Sequence, residues 1–316
     1  MRYQKVRYAR VEQFYADDST DWEFDLLQLS PGQLNFTSSQ VCLEGIRLDW
    51  NQFGARIRSR EVYHGPGIIF GYVLNSSSCV KLCGHELDQG YAAVWQSGQE
   101  LEYIAPAGIT SLVIYVDKTL ADLLGWNLAD DRFRKVPISR LLALEKTCRL
   151  ATFAAQNKMD NAGDMSASLS LDTVLWRERI LAKLEAALEP WLRATVSAPD
   201  ALLRQHSHFR LIKDTEYLFE QNNLDHPVAM DTIADKLGVP RRTLFHAFRN
   251  WLELGPHTYL QLVRLHRLRD RLLAGTPTDT SVTQLAIELG FRHLGRLSAA
   301  YHDHFGEYPR DTLRRN

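Results

Sequence analysis

The sequence predicts a multi-domain chain of mixed α and β class. An N-terminal β-barrel or sandwich leads into a helical middle segment and an all-α C-terminal domain with two helix-turn-helix units. Three observations predict this. Up to about residue 116, short runs of alternating or β-branched apolar residues are separated by Gly, Pro, Asn and Ser. Between 138 and 221 apolar residues recur at helical spacing. After 230, one short helical pattern occurs twice.

The N-terminal runs are Gln40–Trp50, Phe53–Tyr63, Gly67–Asn75, Cys79–Cys83, Tyr91–Gln96, Leu101–Ala105 and Thr110–Val116. Strands this short and regular close into a sandwich or small barrel, whose interior can hold one ligand. Trp50, Phe70, Tyr72, Trp95 and Tyr103 are candidate pocket walls. Arg56 and Arg58, two apart and so on one face of their strand, are candidates to meet an anionic group. Each also has an ordinary use, as core aromatic or wet-face arginine.

The four cysteines, Cys42, Cys79, Cys83 and Cys148, suggest no secreted disulfide framework. A strand over 79–83 sets the Cys79 and Cys83 sulfurs about 13 Å apart, at about 3.3 Å per residue, too far for one zinc. Inert buried thiols are therefore expected. Residues 1–135 hold only His64 and His85, too few for a metal-using barrel enzyme. No nucleophile elbow, phosphate-cradling Gly-rich loop or His-Glu-x-x-His pair occurs. No catalytic residue, metal or cofactor is expected, and the chain does not read as an enzyme.

Helices are predicted over Ile138–Ala155, Leu169–Arg193 and His208–Gln221, with a polar loop over Gln156–Ser168. Leu175, Ile180, Leu181, Leu184 and Leu188 form an apolar seam that suits either a second copy or the face of the barrel. The expected organisation is a sensor at 1–135, a linker or dimerisation segment at 136–222, and the twin-unit domain at 223–316.

The first copy of the repeated pattern is Met230–Phe248 and the second Val282–Tyr301. Two helices that cross steeply need a small residue at the crossing and a turn residue that tolerates a left-handed backbone. Ala234 with Gly238, and Ala286 with Gly290, meet both needs. Leu244 and Phe248, and Leu297 and Tyr301, fall four apart on one face and can fill a core. That leaves Arg241, Arg242, Thr243 and His246 at the exposed start of one helix, and Arg292, His293 and Arg296 at the matching place in the other. A helix of this kind enters the major groove of double-stranded DNA by its N-terminal end, where Arg can fork onto guanine. Between the units, His257–Leu273 carries apolar Tyr259, Leu262, Val263, Leu272 and Leu273 on one arc and Arg264, Arg267 and Arg271 on another. Such a stiff rod can hold two reading helices about one DNA turn apart.

Charge agrees by its distribution rather than its sum. The chain as a whole has a formal net charge of -1, but from 228 onward 13 Lys and Arg face 9 Asp and Glu, which is +4. A basic module joined to a more acidic one fits a DNA-facing part attached to a sensor. The large non-basic N-terminal part argues against a purely architectural DNA binder. The N-terminal residues lack the apolar core of a signal peptide, and no membrane-length apolar run is present, so the cytoplasm is the expected compartment.

Residues 225–316 resemble the tandem helix-turn-helix domain of the AraC/XylS transcription regulators. The resemblance rests on Leu285-Ala286-Ile287-Glu288-Leu289-Gly290-Phe291 and the closing His304-Phe305-Gly306-Glu307-Tyr308-Pro309. Gly290–Arg296 followed by Phe305-Gly306-Glu307 looks most like the ethanolamine-utilisation branch. Two positions depart from the family pattern. Pro240 stands where Ser usually caps the first reading helix, and Leu297 where Phe is usual. The resemblance implies a cupin-like N-terminal sensor, a small-molecule effector, an activator role at promoter DNA, RNA polymerase as a partner, and a homodimer through the middle helices.

Overall fold

The computed structural model describes residues 1–15, 21–87, 90–126, 128, 133–161, 171–192, 207–221 and 230–315. The strands, with the first two helices among them, run β1 (Arg2–Tyr8), α1 (Glu12–Tyr15), β2 (Trp22–Gln28), β3 (Phe36–Leu43), β4 (Ile46–Gln52), β5 (Ile57–Tyr63), β6 (Gly67–Asn75), β7 (Val80–Leu82), β8 (His85–Leu87), β9 (Tyr91–Gln96), β10 (Glu100–Ala105), β11 (Thr110–Asp117), α2 (Lys118–Leu123) and β12 (Phe133–Lys135). They form two antiparallel sheets of a sandwich. One has seven strands in the order β1-β3-β4-β11-β6-β9-β12, the other five in the order β2-β5-β10-β7-β8.

The seven-stranded sheet has its two faces used in an unusual way. Its outer face is apolar: Val41, Leu48, Phe70, Leu112 and Ile114 are buried under α3 (Ile138–Asn161) and α4 (Leu171–Leu192), against Leu144, Cys148, Ile180, Leu184 and Trp191. Because side chains alternate along a strand, the intervening residues face the sandwich interior. Many of those are polar, including Ser38, Gln40, Arg47, Asp49 and Asn51. A sandwich interior is ordinarily apolar on both inner faces.

Most expected strands are present, with three local differences. The run Gln40–Trp50 is a hairpin, broken where Gly45 takes φ +75° and a Cβ would lie 2.9 Å from Asp117 Oδ2. The run Cys79–Cys83 holds only the short strand β7, since Cys83 turns at φ 47° into β8. β1, β2 and the short β12 were not expected; in β1 the cations Arg2, Lys5 and Arg7 obscure the pattern, whereas in β2 Trp22, Phe24 and Leu26 alternate with Glu23 and Asp25. The predicted loop at 156–168 is also shorter than expected: α3 continues through Asn161, and the remainder of that loop lies outside the described residues. The boundary expected at 222–223 lies outside them too.

Of the apolar seam, Ile180, Leu181, Leu184 and Leu188 are spent on the sheet, while Leu175 is exposed. The outer surfaces of the two helices instead present Leu142, Leu150, Phe153 and Val174 to solvent.

The remaining helices are α5 (Ser207–Gln221), α6 (Met230–Lys236), α7 (Arg241–Leu252), α8 (Pro256–Ala274), α9 (Val282–Glu288), α10 (Leu294–Phe305) and α11 (Pro309–Leu313). They enclose two cores. Phe209, Ile212, Ile233, Leu244, Phe248, Trp251 and Tyr259 pack around the first unit; Leu265, Leu268, Leu272, Leu285, Leu297 and Tyr301 pack around the second. α8 contributes to both. Its 19 residues span about 28 Å, at about 1.5 Å each.

Candidate nucleic-acid interface and interior cavity

In the first unit, Ala234 is buried and Gly238 takes φ +65°, so helix and turn meet as their residue types demand. Pro240 stands at the N-cap of α7 without a side-chain cap bond; its φ of -59° suits the entry to a helix. Leu244, Ala247, Phe248 and Trp251 face the core, which leaves Arg241, Arg242, Thr243 and His246 exposed on the other side. Arg241 lies 3.1 Å from Asp231, an exposed pair that costs little to break, and its guanidinium sits 5.1 Å from the Phe245 ring centre. His246 exchanges a 3.0 Å hydrogen bond with Asn250, and its ring meets that of His208 edge-on at 5.4 Å.

The second unit keeps the plan but shifts the start of its reading helix. Ser281 caps α9 by accepting from Gln284 N, and Gly290 turns at φ +77°. α10 begins only at Leu294, with His293 as its N-cap. Arg292 and His293 therefore sit in the turn rather than on the first helical turn, and Arg296 alone projects from the helix. All three are exposed. Behind them the Tyr301 hydroxyl meets Thr312 Oγ1 at 2.8 Å, and Arg269 binds Glu307 at 2.8 Å and Glu12 of the sandwich segment at 2.6 Å.

The sandwich holds both reading helices by their C-terminal ends. Lys81 Nζ donates to the Asn250 and Trp251 carbonyls at 2.6 and 2.7 Å, at the end of α7, where a cation is favoured. Gly32 N donates to the His304 carbonyl of α10 at 3.0 Å. On α8, His266 Nε2 lies 3.1 Å from the Gln28 carbonyl. Burial pushes His266 down to about 3 and His304 down to about 4, so both are neutral near pH 7.

A buried ion cluster completes this joint. Arg58 binds Glu102 and, on α5, Glu216; Arg60 joins both carboxylates, Lys213 joins Glu102, and the Tyr259 hydroxyl meets Glu216. Burial raises the Glu102 carboxyl, but Arg58 and Lys213 outweigh it and hold that carboxyl below its ordinary value. A small pocket of about 120 Å³ beside the cluster lies between sandwich and helices.

A larger cavity of about 430 Å³ lies inside the sandwich, within the range of roughly 300 to 1,000 Å³ usual for small-molecule sites. Of the seven residues proposed from the sequence as pocket walls or anion contacts, Tyr72, Trp95 and Tyr103 border it. Tyr72 does so while sending its hydroxyl to the Leu141 carbonyl of α3. The other four lie elsewhere. Trp50 donates to Thr152 Oγ1 at 2.9 Å beneath α3; Phe70 meets Trp191 edge-on at 6.0 Å; Arg56 reaches Glu253 at 3.4 Å; Arg58 belongs to the ion cluster. Strand parity explains this: even-numbered Trp50 and Phe70 share the helix-covered face, whereas the polar residues interleaved with them face inward.

Sequence reasoning missed the polar lining. Arg47 and Asp49 pair at 3.3 Å, and the Arg47 guanidinium lies 3.7 Å from the Tyr115 ring centre. Burial pushes Asp49 up to about 6 even beside Arg47, and Glu61 up to about 7. Ser38 Oγ and Trp95 Nε1 are buried at the cavity without a hydrogen-bond partner, each at a cost of about 1 to 3 kcal/mol. The signal was available: Arg47, Asp49 and Asn51 alternate with apolar Leu48 and Trp50. Among the described residues, no group of three or more His, Cys, Asp or Glu is placed to hold a metal ion. No helix among them is long and apolar enough to cross a membrane.

A family profile described as "Helix-turn-helix domain" matches residues 233–315. The chain is similar to XylDLEGF operon transcriptional activator 3 of Pseudomonas putida, 33% identical over 97 residues, 31% of this chain and 29% of that protein. It is similar also to the HTH-type transcriptional regulator ArgR of Pseudomonas aeruginosa, 33% identical over 94 residues, 30% of this chain and 28% of that one. Both similarities therefore span under a third of the relatives' length. Among solved structures, an AraC-type DNA-binding domain-containing regulator from Chromobacterium violaceum is 32% identical, covering 33% of this chain and 90% of that one at a TM-score of 0.30. Residues 233–315 are thus a helix-turn-helix domain, similar over that span to those of transcriptional activators and regulators.

Proposed function

We propose that the chain is an effector-responsive, sequence-specific transcriptional regulator. Arg241, Arg242, Thr243 and His246 read one major-groove segment, and Arg292, His293 and Arg296 read the next on the same face of the duplex. The observation that carries this reading is the pairing of two exposed basic helix starts on one 19-residue rod, α8. Residues 1–135 are the sensor, 136–222 the linker and dimerisation segment, and 223–316 the DNA-binding domain.

The sandwich cavity receives the effector, with Trp95, Tyr103 and Tyr72 among its walls. Because the sandwich grips the far ends of α7 and α10, a ligand that shifts its strands changes how the two starts are presented to DNA. That supports control of transcription, as an activator acting with RNA polymerase in the cytoplasm. A homodimer would use the apolar residues that α3 and α4 leave exposed. Gly290–Arg296 with Phe305-Gly306-Glu307 supports a place near the ethanolamine-utilisation regulators; neighbouring genes for amine breakdown would bear on that placement.

Selection of bound duplexes from a random pool tests the function. A defined consensus with two half-segments about one turn apart is expected, with affinity falling steeply as salt rises. Arg296→Ala should lose about 1 to 3 kcal/mol at one base position and relax preference there. Recovery of no consensus would overturn sequence-specific reading.

A further inference from the structure

We infer that the sandwich cavity takes an organic cation with a flat aromatic body, its ammonium or amidinium group seated against Glu61. This deepens the reading of the cavity as an effector site and rests on it.

The cavity has two acids and two bases to consider, and they are not equivalent. Asp49 is matched by Arg47 at 3.3 Å, and Arg47 is further engaged by the Tyr115 ring. Arg2 is exposed, at the edge strand β1. Glu61 differs from all of these. It is buried, it faces the cavity, and the two hydrogen bonds it receives, from Ser59 Oγ and Tyr103 Oη at 2.7 Å each, come from neutral groups and end on the same oxygen, Oε1. Its register neighbours are Phe24 on β2 and Leu101 on β10, so neither adjoining strand brings a cation. Among the described residues none forms an ion pair with it. Burial without a counter-charge pushes this carboxyl up to about 7, so near neutral pH its charged form is present but has no cationic partner. A ligand cation supplies the missing charge.

The walls favour the same class. Trp22, Phe24, Trp95, Tyr103 and Tyr115 border the space, and aromatic faces attract cations while their area suits a flat body. The buried, unpartnered Trp95 Nε1 and Ser38 Oγ are free to bind a polar substituent. A carboxylate ligand meets the reverse conditions, since the half-buried Arg47 is already paired with Asp49. Exposed Arg2 and Gln4 on the edge strand β1, and exposed Cys42 on the neighbouring β3, also border the cavity.

The test uses the full chain at pH 7.5 with three probes of one shape: tryptamine, neutral 3-ethylindole and anionic indole-3-propionate. Calorimetry is expected to give tryptamine at least a tenfold tighter Kd than either of the others, and Glu61→Gln to remove that advantage. Alkylation of Cys42 by iodoacetamide, followed peptide by peptide, should slow in the presence of tryptamine. The wild-type ranking stands without the variant, so a misfolded Glu61→Gln leaves the test intact. Equal binding of all three, or preference for indole-3-propionate, with Cys42 protected would overturn the cation class while sparing the cavity as a ligand site. No binding by any probe, with Cys42 alkylated at its unliganded rate, would overturn both.

Discussion

The two helix-turn-helix units share one pattern and differ in how they are finished and held. In the first, the reading helix starts directly after Pro240, so Arg241 and Arg242 open it; in the second it starts one residue further from the turn glycine, at Leu294, and Arg292 and His293 precede it. The first ends on Glu253, a non-glycine residue at φ 56°, steadied by Arg56; the second ends on Gly306 at φ 73°. The sandwich grips the first through a lysine side chain and the second through a backbone N–H. A repeated motif therefore does not imply two equivalent readers. The first carries its bases on a helix and is held at that helix's end by Lys81, whereas the second carries two of three in a turn and is held by the Gly32 N–H, by His266 and by the Arg269–Glu12 ion pair.

The largest expected effect probes what the units have in common. Leu244→Ala and Leu297→Ala each remove a buried core side chain, and each should cost about 2 to 5 kcal/mol by denaturant unfolding. Amide exchange should show the loss concentrated in the unit that carries the change, because the two cores share only α8. Uniform loss across both would mean the units fold as one block.

Acid should separate them next. His266 and His304, beside the second unit, have native values near 3 and 4, below the ordinary 6.5. The unfolded chain thus takes up protons first as pH falls, so their contribution is full above pH 6.5 and is lost towards pH 3 to 4. Each proton is worth roughly 2 kcal/mol between pH 6.5 and 5. Amide protection in α10 should fall over that range more than in α7; equal decline would break the contrast.

Lys81→Met bears on the first unit alone. It leaves the Asn250 and Trp251 carbonyls without their buried donor, at a cost of about 1 to 3 kcal/mol, and should loosen α7 from the sandwich without changing protection in α10. The helix ends give the smallest effects. Gly306→Ala forces a Cβ into the left-handed region and should destabilise by about 1 kcal/mol, while Glu253→Gly relieves the same strain and should stabilise by less, offset by the lost Arg56 pair.

Legibility followed the strength of the local pattern. The helix-turn-helix units could be read because Ala234, Gly238, Ala286 and Gly290 answer steric demands that few residue types satisfy. Strand runs were read well where one face is apolar and less well in β1, where Arg2, Lys5 and Arg7 break the alternation; β2, with Trp22, Phe24 and Leu26 alternating with Glu23 and Asp25, was legible and missed. The pocket was misplaced for a physical reason. Alternation reveals that a strand has two faces but not which of them meets the other sheet, and here the apolar face carries helices. Trp50 and Phe70 followed that face outward, and Glu61 and Asp49 were left unremarked inside. The Arg58 cluster was out of reach, since Glu216 and Tyr259 lie 158 and 201 residues further along the chain.

Two heads on one rod should occupy successive grooves of one duplex. Hydroxyl-radical footprinting on a selected duplex tests it most directly, with the full chain, an Arg241→Ala/Arg242→Ala variant and an Arg292→Ala/Arg296→Ala variant. Two protected patches on one face are expected, about 10 base pairs apart, with each variant erasing a different patch. A single patch in the wild type, or two patches that both survive both variants, would contradict it.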